Sequence, residues 1–279
     1  MQKISTILSI LFIVVFVLLQ GERISAAEEE QFGYEIKMVK GKPFAVTLRT
    51  DGKRYVVMST ALKVGSYIAY FAAQDFTHRK EMIMNEFKEV KVVVDKEDVK
   101  GIKTVISLKT LDNKIVDDYE LIVSLQIKRG YPCLAVYSKL VYKGKESAQT
   151  GFNWGIIDGF RYYAYPEGGK VKARKLEVAG VMKSKATKLG KGAYPWVWPT
   201  SGKGDGLGIM TVGMLAKNPL EEEAEIVISD VPPKKKLASG EFMDVPFILL
   251  PTTRKEGGYK PMRSLYERVK NLKWEMEEW

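Results

Sequence analysis

Cysteine and histidine are almost missing from this sequence. Among its 279 residues, Cys133 is the only cysteine and His78 the only histidine. An internal disulfide, a cysteine metal cluster and a two-histidine metal site are therefore excluded within one chain, and we expect neither a metal nor a cofactor. Phosphate-loop and zinc-protease signatures are absent too. Cys133 lies in an apolar run, which predicts a small buried side chain rather than a reactive thiol.

Acidic residues are fewer than basic ones. Asp and Glu number 34 against 44 Lys and Arg, which gives a net charge of +10 at pH 7. This balance favours anionic partners, such as acidic polysaccharide or phospholipid headgroups, although plain solubility would also explain it. No cluster of lysine and arginine is dense enough to predict a nucleic-acid partner. Lys234–Lys236 follows two prolines, as expected of a solvated turn.

Long hydrophobic runs are limited to the N-terminus. Lys3 precedes an apolar run over residues 4–19, and small residues follow at Ser25 and Ala27. This order predicts a secretory signal peptide over residues 1–27, cleaved after Ala27. A retained anchor is the alternative, but the run is about 16 residues, shorter than the roughly 20 that span a bilayer. We therefore expect a secreted or periplasmic protein that contacts a membrane only during export.

Helical periodicity is scarce, and only the C-terminus shows it clearly. Residues 261–277 are predicted to form one amphipathic helix with Pro261 at its first position. We expect this helix to cover an open face or edge of a sheet, with a peripheral membrane helix as the alternative. Its apolar stripe consists of Met262, Leu265, Val269, Leu272 and Met276.

Alternating apolar and polar residues fill most of the remaining chain and centre on a hairpin at residues 118–144. Gly130 and Pro132 interrupt two long alternating runs, as expected at a hairpin turn. Residues 77–87 are less regular and predict a short helix or an irregular crossing. About a dozen alternating runs without an internal repeat or a linker predict an all-β fold, a large antiparallel β-sandwich, as one domain over residues 28–279.

Aromatic residues supply the first candidate site. Trp196 and Trp198 alternate and so share one face of an extended segment, and Tyr163 and Tyr165 do the same with Arg161 at matching parity. Flat aromatic faces stack on sugar rings, so these five residues are the predicted ligand-binding set. The alternative is that the rings fill the core of the sandwich. Prolines at positions 195 and 199 favour an edge or a loop, because proline is kept out of central strands.

Three further residues are weaker, catalytic candidates. His78 lies in a polar segment over residues 75–80 and could act as a general acid or base, or be a lone surface histidine. Asp158 and Glu167 lie near the aromatic segments, but the glycines that follow them also predict turns. No pair of carboxylates has a spacing that would identify a catalytic pair.

Three stretches resemble the galactose-mutarotase-like supersandwich, a fold shared by aldose epimerases and by domains of polysaccharide lyases and glycoside hydrolases. They are the Gly-x-Pro strand pair at residues 127–136, the aromatic strand that leads to a glycine-rich hairpin at 196–210, and the closing strand after a Ser-Gly-Glu turn at 238–251. The resemblance implies a supersandwich that handles carbohydrate. Aldose epimerases use two histidines and a late glutamate, so the single His78 disfavours that chemistry.

These patterns together predict a secreted β-sandwich that binds carbohydrate, with acidic poly- or oligosaccharide as a candidate ligand. A polysaccharide lyase or glycoside hydrolase of the same fold is one alternative. A structural envelope protein without a ligand is the other.

Overall fold

The computed structural model of the protein describes residues 32–157, 160, 162–175, 184–185, 196–200, 204–211, 213–220, 223–229 and 234–269. The predicted signal peptide, Asp158, Arg161 and the predicted helix beyond Val269 lie outside the described residues. The described chain is mostly β-strand with a single α-helix, so the predicted all-β class is confirmed.

The strands follow one another closely along the chain. The first ten are β1 Gly33–Val39, β2 Lys42–Thr50, β3 Lys53–Met58, β4 Leu62–Val64, β5 Tyr67–Asp75, β6 Lys80–Asp95, β7 Val99–Thr110, β8 Ile115–Lys128, β9 Tyr131–Tyr142 and β10 Ala148–Ile157. The others are β11 Tyr162–Glu167, β12 Lys170–Lys175, β13 Ser184–Lys185, β14 Trp198–Thr200, β15 Gly206–Thr211, β16 Gly213–Leu220, β17 Glu223–Ser229, β18 Lys235–Leu237 and β19 Phe242–Thr252. Helix α1 spans Lys260–Val269 and follows a 3₁₀ turn at Arg254–Glu256.

All of these strands belong to one hydrogen-bonded sheet with two arms. One arm has the order β1–β2–β3–β4–β5–β10–β17–β16, and every pairing in it is antiparallel. The other has the order β6–β7–β8–β9–β19–β15–β14–β11–β12, also antiparallel throughout. Asp75 of β5 opposes Lys80 of β6, so the β5–β6 hairpin joins the arms.

The two arms pack face to face as a sandwich. Trp154 of β10 donates from Nε1 to Ser138 Oγ of β9 at 3.0 Å, and its ring lies edge-on to Phe247 of β19 at 5.8 Å. Tyr55 of β3 donates its hydroxyl proton to the Pro132 carbonyl across the same gap at 3.0 Å. One continuous apolar core fills the space between the arms. The predicted antiparallel sandwich is therefore confirmed.

The central hairpin is present as predicted. Strands β8 and β9 pair from Tyr119 opposite Tyr142 to Lys128 opposite Tyr131, and Gly130 takes a φ of 79° at the turn. Cys133 of β9 is fully buried, and this burial raises the pKa of its thiol, so the prediction of an unreactive packed side chain is consistent with its surroundings.

The helix or irregular crossing predicted over residues 77–87 is wrong. A short turn is followed there by β6, the longest strand of the sheet. Met82, Met84 and Phe87 all point into the core, and the register with β7 shifts on both sides of Phe87. A bulge inserts an extra residue and so breaks the strict alternation by which a strand is recognised in a sequence.

Helix α1 covers the outer face of the sheet, as predicted. Its apolar stripe packs over the face of β9, β19 and β15 that points away from the main core, which closes a second apolar cluster. Gly208 of β15 lies directly beneath the helix, since a Cβ there would come within 2.3 Å of Met262 Sδ. The contacting residues are Met262, Leu265 and Val269 of the helix and Cys133, Ala135, Met210, Ile248 and Leu250 of the strands. In the described part of the chain, no helix is long and apolar enough to cross a membrane.

Candidate functional site

The two predicted tryptophans do not form an exposed platform. Trp196 and Trp198 are 2% and 7% exposed, because α1 and Tyr259 cover them. Tyr259 stacks on Trp196 at 6.4 Å between ring centroids, and Trp198 Nε1 donates to Thr252 Oγ1 at 2.7 Å. Pro199 lies in the three-residue strand β14, so proline is accommodated without moving its neighbours to the surface. The expectation that these rings are exposed is wrong, and the core alternative applies to the pair. The expected loop position holds for Trp196, which lies outside any strand.

The predicted tyrosines lie beside the tryptophans but are also largely covered. Tyr163 opposes Pro199 in the β11–β14 pair and stacks on Tyr165 at 5.4 Å. Tyr165 is fully buried and Tyr163 is half-buried. The sequence therefore groups these aromatic residues correctly, but their main role in this structure is packing. Arg161, the charged member of the predicted set, lies outside the described residues.

The acidic candidates offer no catalytic pair among the described residues. Glu167 ends β11 and forms an ion pair with Lys172 across the β11–β12 hairpin. This contact is typical of a turn-stabilising pair on a surface. Asp158 lies outside the described residues.

Of the predicted site residues, His78 has the surroundings best suited to binding or catalysis. It lies in the β5–β6 hairpin, and its Nδ1 is 2.7 Å from Asp75 Oδ2. The His78 backbone N–H also donates to Asp75 Oδ1 at 2.9 Å, which closes the turn. The Asp75 side chain is 1% exposed and that of His78 is 36% exposed. A buried carboxylate thus holds a histidine ring that reaches solvent.

Asp75 receives a further hydrogen bond from inside the sandwich. Tyr119 donates its hydroxyl proton to Asp75 Oδ2 at 2.9 Å, and Thr150 Oγ1 lies 2.7 Å from the same hydroxyl. Burial alone would raise the pKa of Asp75, but the hydrogen bonds from the His78 backbone, the His78 ring and Tyr119 outweigh it and lower that pKa. Burial raises the pKa of Tyr119 well above its usual range. Asp75 is therefore an anion and Tyr119 a neutral donor at neutral pH.

The charge on Asp75 fixes the tautomer of the neutral imidazole. An ionised carboxylate only accepts hydrogen bonds, so the neutral His78 ring carries its proton on Nδ1 and leaves the Nε2 lone pair available. Nε2 has no hydrogen-bond partner among the described residues. The arrangement can bind a hydroxyl donor in the neutral state, bind an anion in the protonated state, or take up a proton from a ligand.

Three segments meet around His78, and we call them the His78 end: residues 76–80, 145–149 and 234–236. Phe76 N donates to the Gln149 carbonyl at 2.8 Å, and Gln149 N donates to Thr77 Oγ1 at 2.8 Å. Lys234 Nζ lies 3.9 Å from the centre of the Phe76 ring, a cation–π contact. Lysine and arginine dominate the His78 end, with Arg79, Lys80, Lys145 and Lys234–Lys236 against Glu146, although Lys80 is ion-paired with Asp118 of β8 at 3.1 Å.

Comparison with known proteins identifies the fold. No protein-family model matches the sequence, and no curated protein matches it either. The GH36 α-galactosidase AgaB from Geobacillus stearothermophilus has a TM-score of 0.57 at 12% identity, over 83% of this chain and 42% of that one. A putative aldose 1-epimerase from Klebsiella pneumoniae has a TM-score of 0.50 at 7% identity, over 87% of this chain and 88% of that one. The chain has the galactose-mutarotase-like supersandwich fold.

The supersandwich is only part of its larger structural neighbours. An α-galactosidase from Lactobacillus brevis has a TM-score of 0.54 at 10% identity, and the match covers 84% of this chain but only 42% of that enzyme. The chain thus spans less than half the length of both α-galactosidases. At these identities the likeness establishes the fold and no site.

Within the supersandwich, the His78 end lies where the two arms are joined. Asp75 carries a signal in the sequence, because an aspartate at the end of an alternating strand and three residues before a histidine predicts a side-chain-capped turn. Tyr119 and Thr150 carry none, since they alternate like any other inward-facing strand residue. No group of three or more potential metal-ligating residues occurs among the described residues.

Proposed function

We propose that this protein is an exported carbohydrate-binding supersandwich whose ligand is anionic and binds at the His78 end. The fold supports the carbohydrate class, because its structural neighbours are carbohydrate-processing enzymes. The α-galactosidase AgaA has been solved with raffinose and with stachyose. The signal-like N-terminus supports export.

The observation that carries the proposed site is the Asp75–His78 pair. A buried carboxylate that orients an exposed imidazole fixes one polar group at a defined angle to solvent, which a lone surface histidine lacks. The surrounding lysines supply the charge that an acidic sugar requires. A uronate offers both a hydroxyl for His78 and a carboxylate for the lysines.

Binding to polygalacturonate, measured by calorimetry, tests this proposal, with neutral galactomannan as the reference polymer. His78→Gln and the double charge reversal Lys234→Glu/Lys236→Glu should each weaken binding about tenfold or more. A hydrogen bond to a charged group contributes about 1.5–3 kcal/mol, and tenfold is about 1.4 kcal/mol. Lys255→Glu/Lys260→Glu is the matched control, since it makes the same charge change beside α1.

The possible outcomes test the location of the site and the carbohydrate function separately. Unchanged affinity in the His78-end variants, at an unchanged melting temperature, would reject the His78 end as the site. Equal loss in the control variant would show that net charge alone drives binding. Absence of binding to both polymers would reject the carbohydrate function for these polymer classes.

A polysaccharide lyase is the second candidate function, and the free Nε2 of His78 favours it. In a β-elimination, Nε2 would take the proton from the carbon next to a uronate carboxylate. The electrons of that C–H bond then form a C=C bond as the glycosidic C–O bond breaks, and the departing oxygen receives a proton from solvent water. Incubation with polygalacturonate should then release unsaturated products that absorb in the ultraviolet, and His78→Gln should abolish them. Binding without such products would reject the lyase and leave carbohydrate binding as the function.

A further inference from the structure

The tip of the β1–β2 hairpin, residues 37–44, exposes an unusual amount of apolar surface. Met38, Val39 and Phe44 are 53%, 43% and 39% exposed. The other large hydrophobic side chains that are exposed in the described part of the chain, Ile115, Tyr162 and Phe242, lie on other elements. Met38 and Val39 are consecutive residues of β1 and point to opposite faces, so with Phe44 they form an apolar patch that covers both faces of the tip. Exposed apolar patches on soluble proteins mark interaction sites.

The tip extends past the end of the neighbouring strand β3. Strand β2 pairs with β3 only from Ala45 onwards, so residues 42–44 pair with β1 alone. Lys40 and Gly41 have φ values of 49° and 77°, the combination that a tight two-residue hairpin turn requires. The register shifts beside Met38, so Phe44 is the extra residue of a bulge. The patch is therefore carried on an ordered hairpin.

Lysines are interspersed with these apolar residues along the tip. Lys37, Lys40 and Lys42 lie on the same tip, and all three are exposed. Lys42 approaches Glu86 at 3.7 Å with both side chains mostly in solvent, so this ion pair neutralises it only weakly. Neither Lys37 nor Lys40 has an ion pair among the described residues. The tip is apolar and cationic at once.

We propose that this tip docks on an anionic phospholipid surface. Met38, Val39 and Phe44 would enter the boundary between headgroups and acyl chains, and the lysines would lie at the level of the phosphates. A second copy of the chain fits poorly, because a symmetric contact would bring two sets of lysines together. An acidic glycan fits poorly as well, because it offers no apolar medium for the three side chains. The docking is independent of the proposed carbohydrate function, and it replaces the expectation from the sequence that the protein contacts a membrane only during export.

Vesicle sedimentation of a chain that starts at Glu28 tests the proposal, because this chain keeps every described element and omits the N-terminal apolar run. It should sediment with vesicles of equal parts phosphatidylcholine and phosphatidylglycerol and much less with phosphatidylcholine alone. Met38→Asp/Phe44→Asp should weaken partitioning about tenfold or more. Lys37→Gln/Lys40→Gln should weaken it about fivefold for each lysine. The control Ile115→Asp changes an equally exposed apolar residue elsewhere and should stay within about twofold.

Two results would overturn the proposal. One is equal sedimentation of the Met38→Asp/Phe44→Asp variant and the unmodified chain, with melting temperatures showing that both are folded. The other is a dimer of the unmodified chain in size-exclusion chromatography that the same variant dissociates, which would assign the tip to a second copy. Unchanged polygalacturonate binding in this variant would confirm that the tip and the His78 end act separately.

Discussion

Asp75 is a buried carboxylate whose charge is stabilised mainly by directed hydrogen bonds, with a smaller electrostatic contribution from His78. Its two oxygens accept from the His78 backbone, the His78 ring and the Tyr119 hydroxyl. The Tyr119 hydroxyl proton goes to Asp75, so Thr150 is the donor in the contact between Tyr119 and Thr150. These bonds link the surface turn at His78 to the interior of the sandwich. Asp75 is therefore a positioning residue for the imidazole as well as a structural one.

The lowered pKa of Asp75 predicts a specific loss of stability in acid. Because the folded pKa lies below the unfolded value of about 3.9, the ionised carboxylate stabilises the fold above that value. This contribution disappears as the pH falls through the folded pKa. Asp75→Asn should destabilise the protein at pH 7 by about 1–3 kcal/mol, the cost of leaving buried donors unsatisfied. Urea unfolding should show that the difference in free energy of unfolding between this variant and the unmodified protein shrinks below about pH 4.

Asp117→Asn is the control, because Asp117 is an exposed carboxylate on strand β8, the strand that also carries Tyr119. The free energy of unfolding of this control variant should match that of the unmodified protein at every pH. An Asp75→Asn variant that is as stable as the unmodified protein at pH 7 would contradict the hydrogen-bond account.

Gly144 illustrates how closely the backbone can approach a buried ring. A Cβ at this position would lie 2.2 Å from the Tyr142 hydroxyl oxygen, and that hydroxyl donates to the Glu146 carbonyl. Gly144→Ala should therefore force the ring or the turn to move and cost about 1–3 kcal/mol in urea unfolding. Gly33→Ala is the control, since a Cβ there meets nothing within 4 Å. Equal stability of the two variants would mean that the 143–147 turn moves freely.

Helix α1 and the aromatic segment around Trp196 and Trp198 form one layer on the outer face of the sheet. Gly206 allows Trp198 to pack closely against β15, because a Cβ on Gly206 would come within 2.3 Å of the indole. The helix could be recognised from its apolar stripe, and the alternation of the tryptophans was also visible. The sequence could not reveal that the same surface receives both, because that depends on contacts between residues about sixty positions apart in the chain.

Leu265 tests whether this layer contributes to the stability of the domain. It belongs to α1 and is buried between the helix and the outer face of the sheet. Leu265→Ala should lower the free energy of unfolding by about 2–5 kcal/mol. Ser264→Ala, one residue earlier on the exposed side of the helix, should change it by less than about 0.5 kcal/mol. Equal effects of the two substitutions in thermal unfolding would show that the helix is not docked on the sheet in solution.

The whole fold was more predictable than its site for a physical reason. Strand alternation, glycine turns and one helical stripe are local patterns, and they predicted the all-β class and the central hairpin. The bulged strand β6 was missed because Phe87 breaks the local alternation. The exposure of a side chain depends on residues that are distant in the chain, so the sequence could not distinguish a buried Trp196 from an exposed one. The same holds for His78, whose partner Asp75 is bonded to Tyr119 and, through it, to Thr150, which lie 44 and 75 positions from Asp75 along the chain.

The charge of the whole molecule predicts how ligand binding responds to salt. With a net charge of +10 and a surplus of lysines at the His78 end, the attraction for an acidic glycan acts through solvent and is screened by ions. The Debye length falls from about 10 Å at 0.1 M salt to about 3 Å at 1 M. Polygalacturonate affinity should therefore fall about tenfold or more over this range, whereas binding of any neutral polymer should change little. Salt-independent binding of polygalacturonate in calorimetry would show that hydroxyl contacts dominate, and the anionic ligand class would then be abandoned.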